Sequence, residues 1–423
     1  MKVEKALHVL PPLEVMAPVR ALLLMSGHAD PVAAVSAGTN VTLGKREVTP
    51  EELRQRMEQD FARITAHVSE LYQCYFRSLE ALNRADPEEA VSHLIGAGRL
   101  EESVDRVAQA HAWFGVALLI ADGLADRRPE IRTLLAMGNL SQRLSYYDDA
   151  TRRYRRALVL AESEFDRASA VLACAGLGAL LVKQGAWPGA EAWYARALRL
   201  AEAASDDERL GTIYHGMGEL ARRRGDPSGA TDALRRAREK FEVLGNAYWM
   251  TRTLTTQGMV EADLALWTRG ASSYREALAW ARKCDEQDAL EVVIRFNLAK
   301  LHIENSRFLE AEQEIRRAEK LAMVHNLIRR LVQLYALLGT LRGRQGDETG
   351  FVFFEQALQL ARMLERRPIV EAQVYHEYGV FKLLMRQPED AHSYLERARE
   401  IFESIGASSD VERVAADLRR SLA

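Results

Sequence analysis

The segment Gly38-Thr-Asn-Val-Thr-Leu-Gly44-Lys45-Arg46 is the chain's nearest approach to a phosphate cradle. Such a loop surrounds phosphates with backbone N–H groups and a Lys, and a following Ser or Thr holds Mg²⁺. Here five residues separate the glycines where the motif has four, and Arg46 stands in the Ser/Thr position. No alternating strand–helix pattern follows, so a plain loop is expected. His376-Glu377 begins like a zinc-protease helix, but Val380 occupies the place of the second ligand. His111, His215 and His302 stand alone, and no metal site is expected. No G-x-S-x-G elbow is present, and none of the three cysteines lies in a nucleophile context. The expectation is no catalytic residue and no cofactor. Three arginine runs, Arg152-Arg153 with Arg155-Arg156, Arg222-Arg223-Arg224 and Arg235-Arg236, have acids interleaved nearby. They read as solvated helix faces, and nucleic acid is not expected as a partner.

The chain has 423 residues, 48% hydrophobic and 28% charged, with a formal net charge of −3. That balance excludes general disorder and gives no overall attraction to a polyanion. Heavy use of Ala, Leu, Arg and Glu favours helix. Cys74, Cys174 and Cys284 lie far apart. An odd, scattered set fits a reducing compartment, with each thiol serving as a small apolar side chain. No run reaches the ~18 apolar residues of a membrane span. Pro11, Pro12 and Glu14 interrupt the stretch a secretory signal would need. A cytoplasmic location is expected, without membrane contact.

The elements that would carry these side chains show themselves as a repeat. Ala150, Tyr154 and Ala157 recur forty residues later as Ala190, Tyr194 and Ala197. Each set follows a glycine, Gly138 and Gly178, by twelve residues. The same register gives Gly98 with Ala110, Phe114 and Ala117, and Gly218 with Ala230, Leu234 and Ala237. It continues through Gly258 with Tyr274, then after one step of 41 Ala299 with Ile315, then Gly339 with Phe354, one residue tighter, and Gly379 with Leu395. Spacings of four and three put the second set on one helix face. Glycine inside a helix costs about 1 kcal/mol against Ala, so a close helix crossing must offset it. Gly185 before Trp187-Pro188 and Gly225 before Asp226-Pro227 punctuate the turns.

Eight units in phase resemble the tetratricopeptide repeat, over roughly residues 91–407. Their forty-residue length, with the ending Ile401-Phe402-Glu403-Ser404-Ile405-Gly406-Ala407, is similar to the long-repeat arrays of bacterial signalling and regulatory proteins. The resemblance implies an all-α fold, a right-handed superhelical solenoid of stacked antiparallel helix pairs. The organisation expected is an N-terminal extension at 1–48 and an atypical helical segment at 49–90 that begins at Thr49-Pro50. Eight repeats at 91–407 and a capping helix at 408–423 follow, the cap turning Val411, Val414, Ala415 and Leu418 inward.

In that family the first helix of each unit lines the inner curve. Offsets around each phase glycine then select, as partner-binding residues, Arg132, Asn139, Arg143, Lys183, His215, Arg222, Arg223, Arg252 and Lys300. Arg99 and Arg344 join them, against the acids Glu102, Glu219, Asp263 and Glu304. A slightly acidic chain thus carries a net basic inner face, and Arg pairs well with carboxylates. Some relatives grip a C-terminal carboxylate with Lys and Asn; here Leu135 stands where one such Lys is expected beside Asn139. The function expected is a non-catalytic scaffold that holds a protein or peptide segment, acidic or ending in a free carboxylate. The alternative is a regulatory sensor whose array takes a small peptide or ligand and controls an effector.

Overall fold

A computed structural model describes residues 41–43, 46–48, 70–103 apart from 72, 76, 79 and 83, 106–284, 287–364 and 368–421. The chain divides into two compact units, Met1–Pro129 and Glu130–Ala423.

In the first unit Val41–Leu43 and Arg46–Val48 pair antiparallel, Val41 opposite Val48. The backbone on either side of Gly44-Lys45 is therefore a two-stranded ladder. A phosphate loop instead runs from strand to helix. Gly38, Gly44, Lys45 and the helix start at Thr49-Pro50 lie outside the described residues, as do the first forty positions. The described residues between 70 and 82 are helical, with Leu71 and Ala81 buried. Helices α1 (Pro87–Ser103) and α2 (Val107–Ala121) then form a pair. Phe114 of α2 lies fully buried against Gly98 of α1, where a Cβ would collide with its ring.

The second unit is a stack of helix pairs. They are α3 (Arg128–Arg143) with α4 (Tyr147–Ser163), α5 (Arg167–Gln184) with α6 (Trp187–Glu202), and α7 (Asp207–Arg224) with α8 (Pro227–Leu244). Next come α9 (Ala247–Asp263) with α10 (Trp267–Ala281), α11 (Gln287–Glu304) with α12 (Phe308–Val324), and α13 (Ile328–Arg344) with α14 (Gly350–Met363). The pair α15 (Pro368–Leu384) and α16 (Pro388–Ser404) precedes α17 (Ser408–Ser421). The fold is an all-α repeat solenoid.

The glycine register is the packing code. A Cβ on Gly138 would lie 2.7 Å from the Tyr154 ring, and one on Gly258 would lie 2.7 Å from that of Tyr274. Each ring is flanked by fully buried alanines, such as Ala150 and Ala157, so the two helices approach at the small residues and the ring fills between them. Neighbouring pairs use the same rings. Gly176 of α5 also closes on Tyr154, at 2.7 Å for a Cβ, so that tyrosine is held between two glycines from successive pairs. Contact between pairs is thus as close as contact within them, which is how stacked repeats acquire a continuous core.

Connections end helices in the left-handed conformation. Gly185 (φ 76°) and Gly225 (φ 79°) do so without a Cβ penalty, whereas Phe165 (φ 54°) and Ala265 (φ 55°) bear it. Among the described residues side-chain caps start five helices: Asp86, Asp166, Asp206, Asp226 and Asn246 accept from the backbone N–H groups of Glu89, Ser169, Arg209, Gly229 and Trp249. Helix α5 is long and apolar enough to cross a membrane, and here it is a core helix of the stack. On α17, Val414 and Leu418 are buried while Val411 and Ala415 are half-buried. This last helix bonds to α15 through His376 Nε2 and Asp417 Oδ2, 2.9 Å apart. It also reaches α5: a Cβ on Gly185, the residue that ends α5, would lie 3.6 Å from that of Ser409.

Candidate functional site

The last turns of α3, α5 and α7 carry Arg143, Lys183 and Arg223, forty residues apart and therefore at equivalent places in successive pairs. Cations there complement the negative ends of the helix dipoles. Their grouping goes further than that local role. The Lys183 Nζ lies 3.5 Å from the carbonyl oxygen of Gln142 and is half-buried. Burial, and then the guanidinium groups of Arg223, Arg329, Arg143 and Arg252, lower its pKa to about 8. Four guanidinium groups, from α3, α7, α9 and α13, thus act on the Lys183 amine of α5, and a surface rich in one sign of charge favours an incoming counter-ion.

Arg252 is exposed and bonds the Tyr248 hydroxyl at 3.0 Å, with its guanidinium 5.0 Å from the Trp249 ring centre. This leaves a planar fork presented from an aromatic platform. Arg223 Nε donates to Glu219 at 2.6 Å. Arg222 is differently occupied. It donates from Nε to Glu219 at 3.0 Å and from Nη1 to Asp263 at 2.9 Å, bracing α7 against α9. Burial pushes the Glu219 carboxyl up, but its bonds to Arg222 and Arg223 outweigh that and hold it below the usual carboxylate range.

The other sequence-selected residues are dispersed. Asn139 Oδ1 lies 2.7 Å from the Tyr154 hydroxyl, so it serves the packing ring of its own pair. His215 is buried edge-on to Trp249, with Nδ1 3.4 Å from Thr253 Oγ1. Burial and then Arg252 bring its pKa down to about 3, so it is neutral at physiological pH. Lys300 Nζ is 4.0 Å from Glu304, on the far side of Asp263 in the stack. Arg132 is exposed on α3. Leu135 is 8% exposed, a core residue of α3.

Arg329 escaped the sequence reading. It lies ten residues before Gly339, outside the two turns on which the inner-face offsets rest. The start of α13 nevertheless lies within electrostatic reach of α5. Acids also gather. Burial first, and then Asp263, raise the pKa of Glu304, and burial raises that of Glu377 on α15. Among the described residues no cluster of three or more His, Cys, Asp or Glu assembles with metal-ligand geometry.

Tetratricopeptide-repeat models match residues 133–168 and 168–242, the stretch containing α3 to α8. No curated protein sequence matches the chain significantly. Among solved structures, a Rap protein complexed with competence and sporulation factor is similar at 13% identity and a TM-score of 0.51, covering 79% of this chain and 98% of that one. A plasmid-encoded Rap conjugation gene regulator in complex with a Phr peptide is similar at 12% identity and a TM-score of 0.52, covering 80% and 96%. The quorum sensor NprR with its cognate peptide NprX matches at 12% identity and a TM-score of 0.47, covering 83% and 97%. At these identities the likeness is one of fold. The molecule is an α-helical repeat protein, built from stacked pairs that share their packing rings. More narrowly, residues 133–242 are tetratricopeptide repeats by these matches.

Proposed function

We propose that the inner face of the second unit binds a protein or peptide segment that presents carboxylate groups, and that the chain acts by this binding and has no chemistry of its own. One observation carries the reading. Burial first, and then the charges of Arg223, Arg329, Arg143 and Arg252, lower the proton affinity of Lys183, which marks a cationic locus on α5. Arg forks favour carboxylates by paired, charge-assisted hydrogen bonds. Two solved structures of similar fold, the Rap proteins named above, are complexes with a signalling factor and with a peptide, which supports a peptide-sized occupant here.

A sensor reading stands beside the scaffold reading because α17 reaches α5 across the stack. An occupant near Lys183 lies next to that closing contact and can bias it. Titration of the purified chain with labelled synthetic peptides ending in Asp or Glu tests the binding claim. Arg143→Glu and Arg252→Glu are each expected to weaken binding at least tenfold, and raised salt is expected to weaken the wild type. Equal affinity across wild type and both variants would remove the inner-face reading.

A further inference from the structure

Lys183 is placed unlike the other lysines among the described residues. Lys240, Lys300 and Lys382 each face a carboxylate, of Asp207, Glu304 and Asp390. Lys283 rests on the Trp280 ring, its Nζ 3.8 Å from the ring centre, and Lys320 is exposed to water. Lys183 is half-buried, and among the described residues no carboxylate pairs with it; its Nζ meets the Gln142 carbonyl oxygen at 3.5 Å. That contact fixes its surroundings. Gln142 precedes Arg143 in the last turn of α3, and Arg223 holds the equivalent place on α7, which packs on α5. The amine thus stands on the helix between two that end in cations, and Arg252 of α9 and Arg329 of α13 add their charge.

An ammonium in such a place is opposed twice, by lost hydration and by like charge. Those two influences leave about a tenth of it as free amine at pH 7. Desolvation and neighbouring cations are what turn a lysine into a nucleophile. The rest of the locus selects the reagent. It must be small to reach a half-buried nitrogen. Its product is most favoured when anionic, because guanidinium groups donate charge-assisted hydrogen bonds to anionic oxygens. Arg223 gives Nε to Glu219 and Arg252 gives Nη1 to Tyr248, and each fork has further N–H groups for a second acceptor. Carbon dioxide meets both demands. An acyl donor is bulkier and leaves a neutral amide, a weaker acceptor for those donors.

We infer that Lys183 is a carbamylation site: its Nζ adds carbon dioxide reversibly, and the guanidinium groups of Arg143, Arg223 and Arg252 hold the carbamate. In the addition the nitrogen lone pair forms the N–C bond, one C=O π pair moves onto oxygen, and the nitrogen gives one proton to water. Nothing is oxidised or reduced, and there is no leaving group. The centre of the cluster changes from positive to negative. A carbamate and an acidic occupant therefore compete for the same guanidinium groups, and rising carbon dioxide lowers the fraction of the chain open to that occupant. Only this competition rests on the binding reading above; the modification stands without it.

The test contains no peptide, so its outcome is separable from that of the binding titration. The full chain is equilibrated with isotopically labelled bicarbonate and carbon dioxide near neutral pH, trapped by ethylation with a trialkyloxonium salt, digested and mapped by mass spectrometry. Label on Lys183 is expected to exceed that on Lys240, Lys300 and Lys382 many-fold, and the same treatment in urea is expected to level the four. Arg252→Gln changes an exposed residue and leaves Lys183 in place. It is expected to reduce the label several-fold, with a thermal melt to establish that the variant is folded. Label on Lys183 no greater than on Lys300 in the folded wild type would overturn the carbamylation. Undiminished label in folded Arg252→Gln would overturn the part given to the guanidinium groups.

Discussion

At the scale of single residues, two titratable groups in the second unit are displaced in ways that solution measurements can read. His215 is 9% exposed, and its pKa falls from 6.5 to about 3 because burial disfavours the imidazolium. Below about pH 6.5 the unfolded chain takes up a proton that the folded chain refuses, so the unfolded state binds more protons and stability falls with falling pH. The slope for one such group is roughly 1.4 kcal/mol per pH unit until the folded pKa is approached. Urea midpoints of wild type and His215→Asn at pH 7 and pH 5 isolate this contribution, since other groups are common to both proteins. The wild type is expected to lose more stability over that interval, and identical losses would contradict a buried neutral imidazole. Lys183 works through binding. Its pKa of about 8 means that the amine discharges as pH rises through that value. Affinity for a carboxylate-ended peptide is expected to decline between pH 7 and pH 9, and Lys183→Arg, which keeps its charge, is expected to flatten the profile. A flat wild-type profile would separate Lys183 from the ligand.

At the scale of elements, the turns hold a testable strain. Ala265 is exposed and sits at φ 55°, a conformation that is disfavoured for L-residues and free for glycine. Ala265→Gly is expected to stabilise the chain by about 1 kcal/mol, against the usual penalty of adding glycine. A thermal melt that shifts downward would show that the turn is held differently. These turns also mark what the sequence could reveal. Gly138, Tyr154 and their equivalents were legible because complementarity of small and large residues within one pair is written in spacings of a few residues. Gly176 was not read as the second wall of Tyr154, since that contact joins one pair to the next and each glycine already had a local partner to explain it. Left-handed turns at Phe165 and Ala265 gave no signal either, because the chain adopts them without glycine. Of the candidate site, Arg143, Lys183, Arg223 and Arg252 could be placed from register alone. Arg222, Asn139 and His215 share that register, yet they are spent on Glu219 and Asp263, on Tyr154, and on Thr253 and Trp249. Register reports which way a side chain starts out, and competition among neighbours decides where it ends.

At the scale of the whole second unit, the contact between α17 and α5 distinguishes a scaffold from a sensor. Seven helix pairs separate the start of α3 from the end of α16, and α17 then returns to the residue that ends α5. The contact is thin. Ser409 approaches Gly185, and Asp410 lies near enough to Tyr147 to act on its hydroxyl, while Val414 and Leu418 anchor the helix to its own end of the stack. A thin contact such as that between α17 and α5 has low local stability, and such regions respond first to a ligand. Lys183 is two residues from Gly185, and the cations that act on it come from α3, α7, α9 and α13. An anion bridging those helices is expected to draw them together and tighten the return of α17. Amide exchange in α17 is accordingly expected to slow several-fold when a carboxylate-ended peptide saturates the groove, and exchange in α10 and α12 is expected to stay constant. The Lys183→Glu variant supplies the control, since it removes the bridge without touching α17. Protection of α17 that is the same with and without peptide would leave the closure static and the chain a plain scaffold. Slowing that persists in Lys183→Glu would move the ligand away from the cluster.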